Sequence, residues 1–362
     1  LQAQSNSSDT DVKNTAVGYN AGLSITTGVE NTAIGHGALD ANTTGQEITA
    51  VGVDAAGALN LTNSGSPEVT CVGFEAGKSI TDGGALTLIG HKAGKSLTGA
   101  VGVVIVGSGS GPDLTGSDNT FVGVQAGFEE TSGVDNTLIG HDAGREQTGA
   151  SGNTIVGSHA GSTLGNGSNN TFIGFQSGDD AATNNQCVCV GFQTDPSTNS
   201  VTEEITIGVE GTGGGHDTVS FVTSAGKMTA VINGSNTTFS ASSDERLKKD
   251  IKDSTVGLEF IKELRPVTFK WNEKNAIADS LPQYNKDSSD PVYGDGKSYH
   301  GFIAQEVKTV IDKYTDIVDG HNIWREDPDG TQQISPSQLI PMLTKAVQEL
   351  SAKNDALEAR IK

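Results

Sequence analysis

The sequence predicts a mostly β chain: a trimeric β-helix or β-solenoid shaft of 17-residue repeats, then an α+β C-terminal domain ending in a coiled-coil helix. Three observations lead there. A [Val/Ile]-Gly pair recurs twelve times, at Gly18, Gly35, Gly52, Gly73, Gly90, Gly107, Gly123, Gly140, Gly157, Gly174, Gly191 and Gly208, with a spacing of 17 residues broken by one interval of 21 and one of 16. Near residue 242 the composition changes abruptly from Gly, Asn and Thr to Trp, Tyr, Lys and Pro. Finally, Ile340, Leu343, Val347, Leu350, Asn354, Leu357 and Ile361 follow one another at alternating steps of 3 and 4 residues, a heptad seam with one polar member.

The boundaries that follow are a linker at 1–13, the repeat shaft at 14–212, a β neck at 213–242 and a C-terminal domain at 243–362, whose heptad helix spans 335–362. A fixed period of this size signals a repeat architecture. The fullest repeat reads Asn-Thr-x-[Val/Ile]-Gly-x-x-Ala-Gly, as at 14–22, 119–127, 136–144 and 153–161. Thr stands two residues before the Val or Ile in nine copies, so this β-branched pair shares one face of a short strand. One repeat cannot bury so thin an apolar face, whereas stacked repeats can. The Gly supplies turn conformations. Asn14, Asn31, Asn119, Asn136, Asn153 and Asn170 stand in register, which predicts side-chain ladders between turns. The period admits either a single-chain solenoid or a three-chain intertwined β-helix, and the heptad seam downstream favours the intertwined trimer.

Charge and cysteine content narrow the function classes. Residues 1–242 hold 6 Lys/Arg against 23 Asp/Glu, and residues 243–362 hold 17 against 21, so the acidity resides in the repeats. Such a surface repels nucleic-acid phosphates and anionic membranes, so no nucleic-acid partner and no membrane insertion are expected. No apolar run is long enough to span a bilayer and no signal peptide is visible. The chain begins at Leu1, which suggests a fragment with its attachment region upstream. Cys71, Cys187 and Cys189 all lie inside repeats. An odd number is no disulfide framework, and Cys71 and Cys189 share a slot filled elsewhere by Ala, Leu, Ile or Phe, so they read as buried apolar residues. His36, His91 and His141 each follow a repeat Gly but stand several repeats apart. They read as surface or ladder residues; neither a metal site nor a cofactor is expected. The Asn-x-Ser/Thr triplets, such as Asn42-Thr43-Thr44, are expected by chance in this composition.

Residues 209–241 lose the period. Gly211 to Gly215 reads as a flexible break, Thr218–Val222 and Met228–Ile232 as two strands, and Asn233-Gly234 as a turn. Asp244 is placed to cap a short helix carrying Arg246 and Lys248. Val256–Leu264 is helical by period, Pro266–Trp271 reads as a strand, 275–298 as a polar mobile insertion, and 300–307 as the lead into another helix. A lone Asn354 at an a-type position typically fixes register and oligomer state. At the junction stands Ser242-Ser243-Asp244-Glu245-Arg246-Leu247-Lys248-Lys249. A Ser and a Lys this close, between two unlike regions, suggest a chain that cuts itself there.

Three motifs give the C-terminal part a likeness. Ser-Asp-x-Arg-Leu-Lys at 243–248, Gly257-Leu258 with Leu264-Arg265-Pro266-Val267-x-Phe269-x-Trp271, and Gly301-Phe302-Ile303-Ala304-Gln305-Glu306-Val307 together resemble the C-terminal intramolecular chaperone domain of phage tailspikes, endosialidases and tail fibres, a self-cleaving serine peptidase family. The resemblance covers residues 243–362; the repeats resemble, more loosely, shafts found upstream of such domains. It implies a homotrimer nucleated by this domain, which then cuts itself off at Ser242–Ser243, with Ser243 as nucleophile and Lys248 as general base. It also implies orienting or subunit-joining roles for Asp244, Arg246, His300, Gln305 and Glu306. A Ser needs an adjacent base, and a Lys serves when desolvated or flanked by cations such as Arg246 and Lys249. Residues five apart stand about 140° apart on a regular helix, so either Ser243 precedes the helix or Lys248 comes from a neighbouring subunit.

The function implied is that of a phage tail fibre: a virion protein assembled in the host cytoplasm, joined upstream to a tail or baseplate protein, whose shaft meets a host surface glycan or outer-surface protein. A glycan-degrading tailspike is one alternative. It needs paired carboxylates about 5 Å or about 6.5–9.5 Å apart, whereas the acidic residues are scattered through turns and aromatics form only 5% of the chain. A cellular trimeric surface adhesin is the other.

Overall fold

The structure, a computed structural model, describes residues 12–61, 68–232, 239–241, 243–314, 316–317 and 322–361. It divides into two compact units, Leu1–Ser243 and Asp244–Lys362.

The first unit is a β-solenoid. Each repeat contributes one short strand: β1 (Thr15–Val17), β2 (Thr32–Ile34), β3 (Thr49–Val51), β4 (Val69–Val72), β5 (Gly84–Ile89), β6 (Val101–Val106), β7 (Thr120–Val122), β8 (Thr137–Ile139), β9 (Thr154–Val156), β10 (Thr171–Ile173), β11 (Val188–Asp195) and β12 (Ile205–Thr212). Each strand pairs in parallel with the next one of the same chain, and like residues face like: Thr15 opposite Thr32, Val17 opposite Ile34. The ladder is therefore closed within one chain, and the intertwined form favoured from the sequence is not the one adopted.

The strand faces are a second departure. The repeated Thr and Val/Ile point outward; Ile34, Ile89, Ile139, Ile173 and Ile207 are 37–40% exposed. The core is made instead by the variable residue between them, Ala33, Ala50, Cys71, Leu88, Ile105, Phe121, Leu138, Ile155, Phe172 or Cys189, all buried. Alternation of side chains along a strand fixes that there are two faces, but not which is enclosed. Burial pushes the Cys71 thiol up to about 12 and raises Cys187 and Cys189 as well, as inert buried thiols require.

Two further devices hold the turns together. The rung Gly sits where a side chain cannot: a Cβ on Gly140, at φ +143, would stand 2.2 Å from the carbonyl oxygen of Gly157. The Asn ladder forms as expected. The Oδ1 of Asn136 accepts from the backbone N–H of Asn153 at 3.0 Å, its own N–H donates to Asn119 Oδ1 at 3.0 Å, and its Nδ2 donates to the Ala150 carbonyl at 2.7 Å. Asn14, Asn31, Asn119, Asn153 and Asn170 repeat the arrangement.

The neck is an extension of this sheet. β12 runs through Gly211 and Thr212, so the expected break begins later. β13 (Thr218–Thr223) still pairs in parallel with β12, and only β14 (Gly226–Val231) and β15 (Phe239–Ala241) turn antiparallel. The Asn233-Gly234 turn lies outside the described residues.

The second unit holds a 3-10 turn at Glu245–Leu247, α1 (Leu258–Glu263), β16 (Val267–Phe269), β17 (Tyr299–Gly301), α2 (Ala304–Ile311), β18 (Trp324–Glu326), β19 (Gln332–Ile334) and α3 (Ile340–Ile361). Its small core gathers Val256, Phe260, Leu264, Val307, Val310, Ile311, Ile323 and Leu339. The polar insertion is stapled at its base: Lys274 N–H donates to Asp290 O at 2.9 Å, Val292 N–H to Asn272 O at 2.8 Å, and Tyr293 meets Trp271 edge-on. Among the described residues no helix is long and apolar enough to cross a membrane.

Candidate functional site

The junction residues are held by a purely local arrangement. Asp244, in extended conformation, caps the 3-10 turn by accepting from the backbone N–H of Arg246 at 2.9 Å. The Arg246 guanidinium returns to the same carboxylate through Nε at 3.0 Å and Nη2 at 2.6 Å. These side-chain bonds, then the backbone bond, hold the Asp244 carboxyl below the usual range, and Asp244 in turn raises Arg246. The charge of Arg246 is thus compensated by its own neighbour.

Ser243 stands before this turn and Lys248 closes it as the C-cap, extended at φ −112, ψ 149. The helical obstacle to bringing the two together is therefore absent, because only three helical residues separate them. Both are exposed, whereas activating a lysine base requires desolvation or nearby cations. Ser242 lies outside the described residues.

The remaining site residues sit elsewhere in the second unit. His300 is exposed on β17 opposite Thr268 of β16. It lines a groove of about 690 Å³ together with Gln305, Phe269, Trp271, Tyr293 and Ile334. Asp244, Arg246 and Lys248 are not among the lining residues. Glu306, in the first turn of α2, is engaged by Arg265: Nε donates to Oε2 at 2.9 Å and Nη2 reaches Oε1. The pairing lowers Glu306 and raises Arg265. This bidentate contact ties the Leu264-Arg265-Pro266 motif to the Gly301–Val307 motif. Arg265 belongs to the motif, but its pairing with Glu306 is not legible in the sequence, where nothing pairs residues 41 apart.

The C-terminal helix divides into two faces. Ala346 is buried, Glu349 Oε2 accepts from the backbone N–H of Leu258 at 2.9 Å, and a Cβ on Gly257 would meet Lys345 and Glu349; one face of α3 thus packs on α1. The heptad residues Ile340, Leu343, Val347, Leu350, Leu357 and Ile361 lie on the outside, 45–78% exposed, and Asn354 is exposed among them.

Outside the second unit, the sequence reading overlooked His159. It stands two residues after Gly157, and its ring lies 5.1 Å from that of His141 in the preceding turn. Aligning the position after His141 across repeats would have revealed it. His36 and His91 do form ladder stacks, on Tyr19 and Phe74.

Residues 243–316 match the Peptidase_S74 family model, described as chaperone of endosialidase. No curated protein and no solved structure matches the chain.

Proposed function

From the premise that a chaperone-of-endosialidase segment, residues 243–316, follows a twelve-turn β-solenoid, we propose that this chain is a tail-fibre-type host-attachment protein of a virion. Its second unit drives trimerisation of the shaft and then releases itself by autocleavage at Ser242–Ser243. One observation carries this reading: the family match begins at Ser243, the residue at which the chain divides into its two units.

The chemistry is an N→O acyl shift followed by hydrolysis. Ser243 Oγ, giving its proton to Lys248 Nζ, attacks the carbonyl carbon of Ser242. The C–N bond breaks, the Ser243 nitrogen takes up a proton as the amine, and the Ser242 acyl group is left as an ester on Oγ. Water hydrolyses that ester to the Ser242 carboxylate and restores the hydroxyl. Such a weak nucleophile needs its base desolvated, and the exposure of Lys248 in a single chain fits a site completed by assembly, so that cutting follows folding.

Two exposed apolar surfaces support the trimer. The outward heptad face of α3 has coiled-coil spacing. On the shaft, the outward Ile column is flanked by Val53, Phe74, Val124, Phe175, Phe192 and Val209, each 40–46% exposed. An apolar strip of this kind, interrupted in its flanking column by His36, His91, Ser108, His141 and Ser158, fits an association surface, here for three separate solenoids side by side.

The test is denaturing electrophoresis with intact mass on freshly expressed wild type, Ser243→Ala and Lys248→Ala, beside sedimentation of the native proteins. Wild type should split into 1–242 and 243–362 while both variants stay whole and trimeric. A wild type that forms trimers and remains whole reduces the second unit to an assembly clamp and removes the peptidase assignment.

A further inference from the structure

The solenoid carries a side-chain cluster that assembly and release do not use. Asp142 and His159 occupy the same slot, two residues after the rung Gly, in the eighth and ninth turns, and His141 adjoins Asp142. Among the described residues these three form the one group of at least three His, Cys, Asp or Glu whose ligand atoms all lie within 4.8 Å of one another.

Three features mark the cluster. First, the donors converge on one oxygen: Asp142 Oδ2 is 3.3 Å from His141 Nδ1 and 3.6 Å from His159 Nε2. Metal–ligand bonds of about 2.0–2.2 Å at tetrahedral angles separate donors by roughly 3.3–3.5 Å, so these two spacings need little adjustment, and the third lies within 4.8 Å. Second, the rings are splayed. Tyr19 on His36, Phe74 on His91 and Phe175 on Phe192, all one residue after their rung Gly, stack with interplanar angles of 20°, 10° and 13°; His159 stands one position further along, and its ring is tilted by 41° to His141 and by 53° to Phe175. One nitrogen of each of the two His rings faces the same Asp142 carboxylate oxygen. His159 Nδ1 lies 2.9 Å from Ser158 Oγ, an outer contact of the kind that orients a ligating imidazole.

Third, the carboxylate lacks the close cations found higher in the column. Asp54 and Glu75 fill the same slot and are met by Lys78 at 2.9 and 2.8 Å, with Lys95 a further 3.0 Å from Glu75. Asp142, only 13% exposed at its side chain, has Arg145 Nε no closer than 3.9 Å, and its Oδ1 is buried without a hydrogen bond. An enclosed carboxylate so poorly compensated is costly.

We propose that Asp142 Oδ2, His141 Nδ1 and His159 Nε2 bind a single borderline divalent cation of the zinc class, bridging the eighth and ninth turns. Imidazole with carboxylate suits such ions, and the half-exposed rings leave a fourth position for water. Protons compete for the imidazoles, so binding weakens in acid.

The experiment is calorimetric titration of the chelator-treated full chain with zinc chloride, repeated on Asp142→Asn, His159→Ala, His141→Ala and His91→Ala. Wild type should bind one equivalent per chain. Affinity should fall tenfold or more in the first three variants and stay unchanged in His91→Ala, all with wild-type far-UV circular dichroism. His141 is half exposed, so its variant keeps the test valid if a buried substitution disturbs folding. Absence of saturable binding to wild type, or equal affinity in His141→Ala and wild type, overturns the proposal. The outcome does not depend on whether the junction cuts itself.

Discussion

The shaft and the C-terminal unit are held together in opposite ways. In the shaft every turn presents its neighbours with nearly the same surface: Thr opposite Thr, Gly opposite Gly, Asn bonded to the next backbone. In the C-terminal unit the contacts occur once each: Phe260 against Tyr314, Arg265 on Glu306, Glu349 on the start of α1. A repetitive interface is large but ambiguous, because a turn slipped by one repeat meets almost the same partner. Unique contacts are few yet unambiguous. The smaller unit is therefore the one equipped to set register, and the larger one to hold it.

The contrast is sharpest at the rung glycines. Gly140→Ala should destabilise the shaft by about 3–5 kcal/mol, combining overpacking with left-handed strain, and urea denaturation followed by circular dichroism reads it. Gly99→Ala, at φ +67 with nothing within 4 Å, should cost only about 1–2 kcal/mol. Equal losses would show that close stacking is not what confines the rung to Gly.

In the other unit, Phe260→Ala opens a buried site and should cost about 3–5 kcal/mol. Its distinguishing effect, on the proposed assembly, is on yield: less soluble trimer by sedimentation, with the urea midpoint of correctly assembled shaft unchanged. A shifted shaft midpoint would mean that the two kinds of contact are not separable. Asn136→Ala strands the buried N–H of Asn153 and should cost about 1–3 kcal/mol, without loss of trimer yield. Asn354→Leu should raise the stability of the assembly while mixing oligomer sizes, read by light scattering, since a polar a-position trades stability for specificity.

The smallest effect concerns acid. Hydrogen bonds from Lys78 and Lys95 hold the Glu75 carboxyl down to about 2, from 4.5. A depressed carboxylate stabilises the fold above its unfolded value and loses that contribution as pH falls through the folded one. Wild type and Glu75→Gln should therefore differ in shaft stability above pH 4.5 and converge near pH 2, in an acid titration followed by circular dichroism.

Legibility in the sequence follows the same division. The twelve turns and the Asn ladder are readable because each repeat restates them. The inward face is not, since the recurrent Thr and Val/Ile attract attention while the core falls to a residue that varies from Ala33 to Phe121. Volume at that slot is set by the neighbours above and below, which a single repeat does not encode. In the C-terminal unit, α1, α2 and β16 were readable from local periodicity, and Asp244 as a cap from its place before the turn. The pairing of Val267 with Gly301, and with it the placing of His300 opposite Thr268, was not, because the partners stand 34 positions apart across the irregular segment 270–298.

The two irregular spacings in the shaft have a further consequence. Where the interval is 21, Val51 still faces Val72, and where it is 16, Val106 still faces Val122. Insertions and deletions are absorbed between strands, and the stacking step of about 4.8 Å is untouched. Whole 17-residue modules are then exchangeable units, since adding or removing one restores the same interface. The shaft behaves as a ruler graduated in single turns, whose reach can change by duplication or loss of a module while both of its ends stay the same.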